Sequence, residues 1–146
     1  MDIEQMVESL YKKGSKDAYA NLLKLEQISE SENILYDYFD CFFKMIHDKN
    51  YAIRVRGYRL LCKQAKWDTS NKINKVIDKI LTQLEDEKPT AVRQKIKALE
   101  NIISNKKALN KKIKQKLFDI DCSKYKESMQ GLISKDIENL LSLIKS

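Results

Sequence analysis

Only three glycines and one proline interrupt the 146 residues. That scarcity excludes an all-β chain, which needs a turn every ~10 residues. It equally excludes a Gly/Pro/Ser-rich disordered chain or a long flexible linker. Cysteine occurs three times, at Cys41, Cys62 and Cys122, with no C-x-x-C pair and no histidine in metal spacing. A disulfide scaffold or zinc site is therefore not expected. Each cysteine lies in or beside an apolar run, where a free thiol acts as a small buried hydrophobe. No apolar run approaches the ~18–20 residues of a membrane span. The opening Met-Asp-Ile-Glu-Gln lacks the basic-then-apolar layout of a signal peptide. These absences lead to the expectation of a cytoplasmic, single-domain, all-α protein over residues 1–146, with no membrane partner.

Catalytic vocabulary is equally sparse. Histidine occurs once, as His47, beside Asp48 at the end of an aromatic segment. A cation at a helix C-terminus explains it without catalysis. There is no Gly-rich phosphate loop, His-Glu-x-x-His, Gly-x-Ser-x-Gly or calcium-loop pattern. No catalytic residue, metal or cofactor is expected, and nothing specifies an enzyme.

Charge is plentiful. Lys and Arg number 28 against 21 Asp and Glu, for a net charge of +7. Residues 1–50 hold ten acids and six lysines, whereas residues 51–146 hold 22 bases and 11 acids. From Lys88 to Lys116 ten bases face the single acid Glu100. A field of this kind attracts nucleic acid, anionic lipid or an acidic protein. Since 24 of the 28 bases are Lys, ordinary solvation accounts for much of the excess.

Apolar spacing divides the chain into eight helical stretches. The first covers about Ile3 to Tyr11 and stops before Gly14. Ser15 can cap the second, whose face is Tyr19, Leu22, Leu23, Leu25 and Ile28. The third opens at Ser31 and carries Leu35, Phe39, Phe42 and Ile46, with Tyr36, Tyr38 and Phe43 off that row. The fourth follows Asn50 with Ile53, Gly57, Leu60 and Leu61. Asp68-Thr69-Ser70 caps the fifth, striped by Ile73, Ile77, Ile80 and Leu84. Pro89 fits the first turn of the sixth, followed by Val92, Ile96, Leu99 and Ile103. Leu109, Ile113 and Leu117 mark the seventh. The eighth runs from about Ser123 to Ile144, with Gly131 as a place to bend or split. Short connections imply antiparallel neighbours, which either a bundle or a solenoid satisfies.

An internal repeat favours the solenoid. Asp48-Lys49-Asn50-Tyr51-Ala52-Ile53-Arg54 aligns with Glu87-Lys88-Pro89-Thr90-Ala91-Val92-Arg93 at an offset of 39, and Leu60 then meets Leu99. The pattern resembles the HEAT repeat, whose turn carries an Asp and whose second helix opens with Val-Arg. The HEAT/armadillo-like α-solenoid superfamily is thus suspected, most firmly over residues 31–105. The resemblance implies a right-handed α-α superhelix of about four antiparallel helix pairs, approximately 2–29, 31–66, 69–105 and 108–145. It also implies a ladder in which Asp48 and Glu87 (or Asp86) bind Arg54 and Arg93.

Under the same resemblance the fourth helix lines a concave face. Arg56, Arg59, Lys63 and Lys66 share one side of it, and Lys95 holds the place equivalent to Arg56 on the next inner helix. Tyr58 and Trp67 would add stacking surface to this stripe. Lys106, Lys107, Lys111, Lys112, Lys114 and Lys116 form a second basic run. The leading expectation is a non-enzymatic module that binds a protein partner on its concave face. DNA or RNA held through non-specific phosphate contacts is the runner-up. HEAT-like DNA glycosylases for alkylated bases are a remote third, prompted by Trp67 and Asp68, although Asp68 already reads as a helix cap.

Overall fold

In the computed structural model, residues 2–12 and 16–144 are described. Their regular structure is helical throughout. The α-helices are α1 (Ile3–Ser9), α2 (Lys16–Ser31), α3 (Phe39–Met45), α4 (Tyr51–Lys63), α5 (Lys72–Thr82), α6 (Pro89–Ala98), α7 (Glu100–Asn105), α8 (Asn110–Asp119) and α9 (Glu127–Leu141). Short 3-10 turns cover Ile34–Tyr38, Gln64–Trp67, Lys107–Leu109 and Cys122–Lys124.

Local chemistry sets most of the starts. Asp2 and Gln5 form a reciprocal capping box on α1. The Asn50 side chain accepts from the Ala52 and Ile53 amides and opens α4. Pro89 occupies the first turn of α6, where its missing N–H leaves no bond unmade. Asn71, at φ 55°, precedes α5 in the left-handed conformation that Asn tolerates. The cap of α5 comes instead from Asp68, whose two oxygens accept from Lys72 and Ile73 N–H at 2.9 Å each.

Several boundaries differ from the sequence expectations. Ser31 closes α2 and does not cap the third stretch, which winds first as the 3-10 turn and only then as α3. That tighter turn buries Leu35 while Tyr36 reaches the Asp68 carboxylate at 2.6 Å. The sixth stretch bends at Leu99, dividing α6 from α7. Gly131 lies inside an unbroken α9, where a Cβ would have nothing within 4 Å, so it bends nothing. Gly14 and the expected cap Ser15 lie outside the described residues.

Helix contacts place the site. α1 packs on α2, α3 on α4 and α8 on α9, while α2, α4, α6 and α9 contact one another in that succession. The core runs without a break from Leu22 and Leu25 through Phe42, Ile53 and Leu60 to Ile77, Ile96, Ile113 and Ile133. Gly57 marks the tightest crossing: a Cβ there would meet Met45 Cβ at 2.4 Å and the Phe42 carbonyl at 2.9 Å. Only a hydrogen side chain lets α3 and α4 approach this closely. Tyr58, expected as stacking surface, is internal and donates its hydroxyl to Ile80 O at 2.9 Å. Among the described residues no helix is long and apolar enough to cross a membrane.

Candidate functional site: a charge-balanced groove

The cations singled out in the sequence are mostly fasteners. Arg54 grips Asp86 with Nε at 2.8 Å and Nη2 at 3.1 Å, while Nη1 donates to the carbonyls of Asp48 and Lys49. The planar fork thus satisfies a carboxylate and loose carbonyls after the end of the preceding helix together. Asp86 is the close partner, and Glu87 is 77% exposed and stands 3.7 Å off. The reason is the turn itself. Asp48 Oδ1 accepts from Asn50 N–H and Asp86 Oδ1 from Lys88 N–H, so the turn acids repeat at 38 residues although the apolar stripe repeats at 39. Arg93 finds no turn acid and pairs instead with Asp136 of α9, Nε at 2.7 Å.

Arg56 and Lys95, expected on an open stripe, are buried. Arg56 donates to Leu10 O at 2.7 Å and Lys12 O at 2.8 Å, closing the end of α1. Burial lowers its pKa. Lys95 donates to Gln83 O at 2.7 Å and Asp86 Oδ2 at 3.0 Å, with its ammonium 5.4 Å from the Tyr58 ring centre. Burial pulls the Lys95 ammonium down, and the Asp86 carboxylate opposes that shift. Burial pushes Asp86 up, but Arg54, the Lys88 amide and Lys95 outweigh it and hold the acid far below the usual carboxylate range. The pair is therefore ionised and internal.

Arg59 and Lys63 do line the open groove, already engaged. Arg59 forks onto Glu26 at 2.7 and 3.1 Å and donates to Gln94 Oε1 at 3.0 Å. Lys63 pairs with Glu30, and Lys66 donates to the Glu30 carbonyl. Trp67 spends its indole N–H on Ser29 O at 2.7 Å. Periodicity within a single helix misses these partners, yet a signal exists. Glu26 and Glu30 stand four apart on α2, Arg59 and Lys63 four apart on α4, so two complementary i, i+4 stripes sit at a constant offset of 33.

What remains open is a groove of about 910 Å³ between α2, α4, α6 and α7. Its charged lining is Glu26, Glu30 and Glu100 against Arg59, Lys63 and Lys97. The amides Gln27, Gln94, Asn101 and Asn105 lie among them. Tyr19 and Leu23, assigned to a core face by their spacing, are instead 54% and 44% exposed on its rim. Gln94, Lys97 and Glu100 are shared with a second compartment of about 580 Å³ between α6 and α9. There too Arg93 and Lys97 are matched by Asp136 and Glu100. A surface with as many acids as bases does not concentrate phosphate. It offers donors and acceptors beside Tyr19 and Leu23, although Gln94 Oε1 already accepts from Arg59, and Asn101 and Asn105 already donate to the carbonyls of Ala98 and Asn101.

Asp68 is consumed as thoroughly. Its carboxylate accepts from Tyr36, Lys72 N–H and Ile73 N–H and lies 3.1 Å from Lys106 Nζ. Burial raises its pKa, and these donors more than reverse the shift. A general base must be free to take a proton, and this carboxylate is fully occupied. His47 is exposed and bonds through Nδ1 with Phe43 O at 3.0 Å, one turn back on α3. Among the described residues no cluster of His, Cys, Asp and Glu is placed to hold a metal ion. No protein family, no curated protein and no solved structure matches the chain.

Proposed function

We propose that the chain is a small HEAT-like helical-pair module that binds an extended polypeptide segment in the groove between α2, α4, α6 and α7. The carrying observation is the lining itself: equal numbers of acids and bases, four amides, and Tyr19 and Leu23 on the rim. Gln27, and the amide atoms that Gln94, Asn101 and Asn105 do not already use within the fold, pair with main-chain N–H and C=O of the bound segment, and the two rim side chains take an apolar residue. The succession of helix contacts supports the solenoid reading, because consecutive inner helices of stacked pairs touch in that order. The inner cations then hold the pairs together, as Arg54, Arg56, Arg59 and Lys95 each join segments more than 30 residues apart or tie a helix to its neighbour's end.

A random peptide display library selected on the folded chain tests this. Enriched peptides should carry an apolar residue, bind independently of net charge, and lose at least tenfold affinity, about 1.4 kcal/mol, on Leu23→Asp. Failure to enrich any peptide, or enrichment that Leu23→Asp and Asn101→Ala leave untouched, contradicts the proposal.

A further inference from the structure

We propose that the exposed face of α8 and of the 3-10 turn before it, along Lys107, Lys111, Lys114 and Phe118, binds single-stranded nucleic acid. Six lysines lie between positions 106 and 116. Three are engaged: Lys106 with Asp68 and Asn71, Lys112 with Asp78, Lys116 with Glu85. Lys107, Lys111 and Lys114 are exposed and have no ion pair among the described residues. Lys111, Lys114 and Phe118 stand at i, i+3 and i+7, a single line along α8, and Lys107 lies in the 3-10 turn just before it. From Lys111 to Phe118 the line is about 10 Å long at 1.5 Å per residue. Asp119 sits about 100° round the helix from Phe118 and takes a bond from Gln115. On α5, Lys75 stands one turn before Asp78, the partner of Lys112. It is exposed, has no ion pair among the described residues, and adds a further cation on that side.

Phe118 decides the class of ligand. It is 64% exposed, more than Tyr19, Leu143 or any other large apolar side chain that faces solvent among the described residues. The apolar row of Leu109, at the end of the 3-10 turn, and Ile113 and Leu117 of α8 is buried in the core. The helix therefore has no apolar face to lay into a bilayer, which needs a broad one. One naked ring at the end of three free ammonium groups suits a strand that offers phosphates for the lysines and an unpaired base for the ring. A duplex hides its base faces and leaves the ring idle. None of these four residues lines the groove, so the two surfaces are independent.

Fluorescence anisotropy with a labelled oligo-dT of about 12 nucleotides, at about 50 and 200 mM salt, tests the proposal. The expected slope of log affinity against log salt is about −2 for three phosphates, each worth about −0.7. Lys111→Gln/Lys114→Gln should remove about 1.4 of that slope. Phe118→Ala should weaken binding about 5- to 100-fold without changing the slope. Tyr19→Ala in the groove should leave the curve unchanged. All three variants alter exposed side chains, and an unchanged circular-dichroism melt establishes that each is folded. Absence of binding at low salt overturns the proposal, as does binding that both α8 variants retain. Equal affinity for a duplex of the same length with Phe118→Ala silent also overturns it, and so does Phe118-dependent binding to phosphatidylserine vesicles without binding to the oligonucleotide.

Discussion

An arginine that serves two carbonyls and a buried carboxylate at once, as Arg54 does, cannot be shortened without stranding its partner. Arg54→Ala leaves Asp86 inside with the Lys88 amide and Lys95 alone. Breaking a buried pair from one side costs about 3–5 kcal/mol, so the urea midpoint of Arg54→Ala should fall well below wild type. Glu87→Ala, removing an exposed acid 3.7 Å away, should stay within about 0.5 kcal/mol. Equal losses from both would give Glu87 as large a part as Asp86 in holding Arg54. Acid titration probes the same residues. Asp86, Asp68, Glu30 and Glu85 are all held below their ordinary values. A carboxylate depressed in the folded state contributes stability above its unfolded pKa, about 4, and loses it as pH falls towards the folded value. The melting temperature should be nearly flat from about pH 7 to 5 and drop below about pH 4. Asp68→Asn should melt lower at neutral pH, lacking one charged partner for Lys106, and show a shallower acid limb. An unchanged limb would mean that Asp68 gains nothing from its donors.

At the scale of elements, the α3–α4 crossing at Gly57 is the most sensitive point. Gly57→Ala forces a Cβ against the backbone of α3, where neighbouring atoms are not flexible side-chain ends. Overpacking of this kind costs about 1–3 kcal/mol or more, whereas Gly131→Ala, in open space on α9, should stabilise by about 0.5–1 kcal/mol through helix propensity. Equilibrium unfolding of the two variants gives opposite signs if α3 and α4 cross as described. The apolar rows of these helices are readable in the sequence because burial repeats directly at 3.6 residues: Ile53, Leu60, Ile73, Ile77, Ile80, Val92 and Ile96 all fall in the core. The polar destinations are not so readable. Whether Arg56 faces water or the end of α1 depends on where α1 packs, which no periodicity within α4 encodes. Tyr19 and Leu23 mislead for the converse reason, since an apolar residue on an amphipathic helix can line a groove as well as a core. The bend at Leu99 carries no Gly or Pro to announce it.

For the whole molecule, the net charge of +7 is a poor guide to the groove and a better one to α8. Apart from the exposed Lys97, which Glu100 offsets only in the count of lining charges, the cations of α4 and α6 are paired or buried, and the excess of the C-terminal half is carried in part by α8. Two surfaces that composition alone merges are therefore distinct, and the balanced one is the proposed polypeptide site. The most direct test is a titration of the ¹⁵N-labelled chain with a peptide selected on it, followed by amide NMR. The side-chain amides of Gln27, Gln94, Asn101 and Asn105 should shift on saturation, together with the backbone of α2 around Tyr19 and Leu23, while α8 stays still. Shifts confined to α8, or none in the four groove amides, would contradict a polypeptide site in the groove.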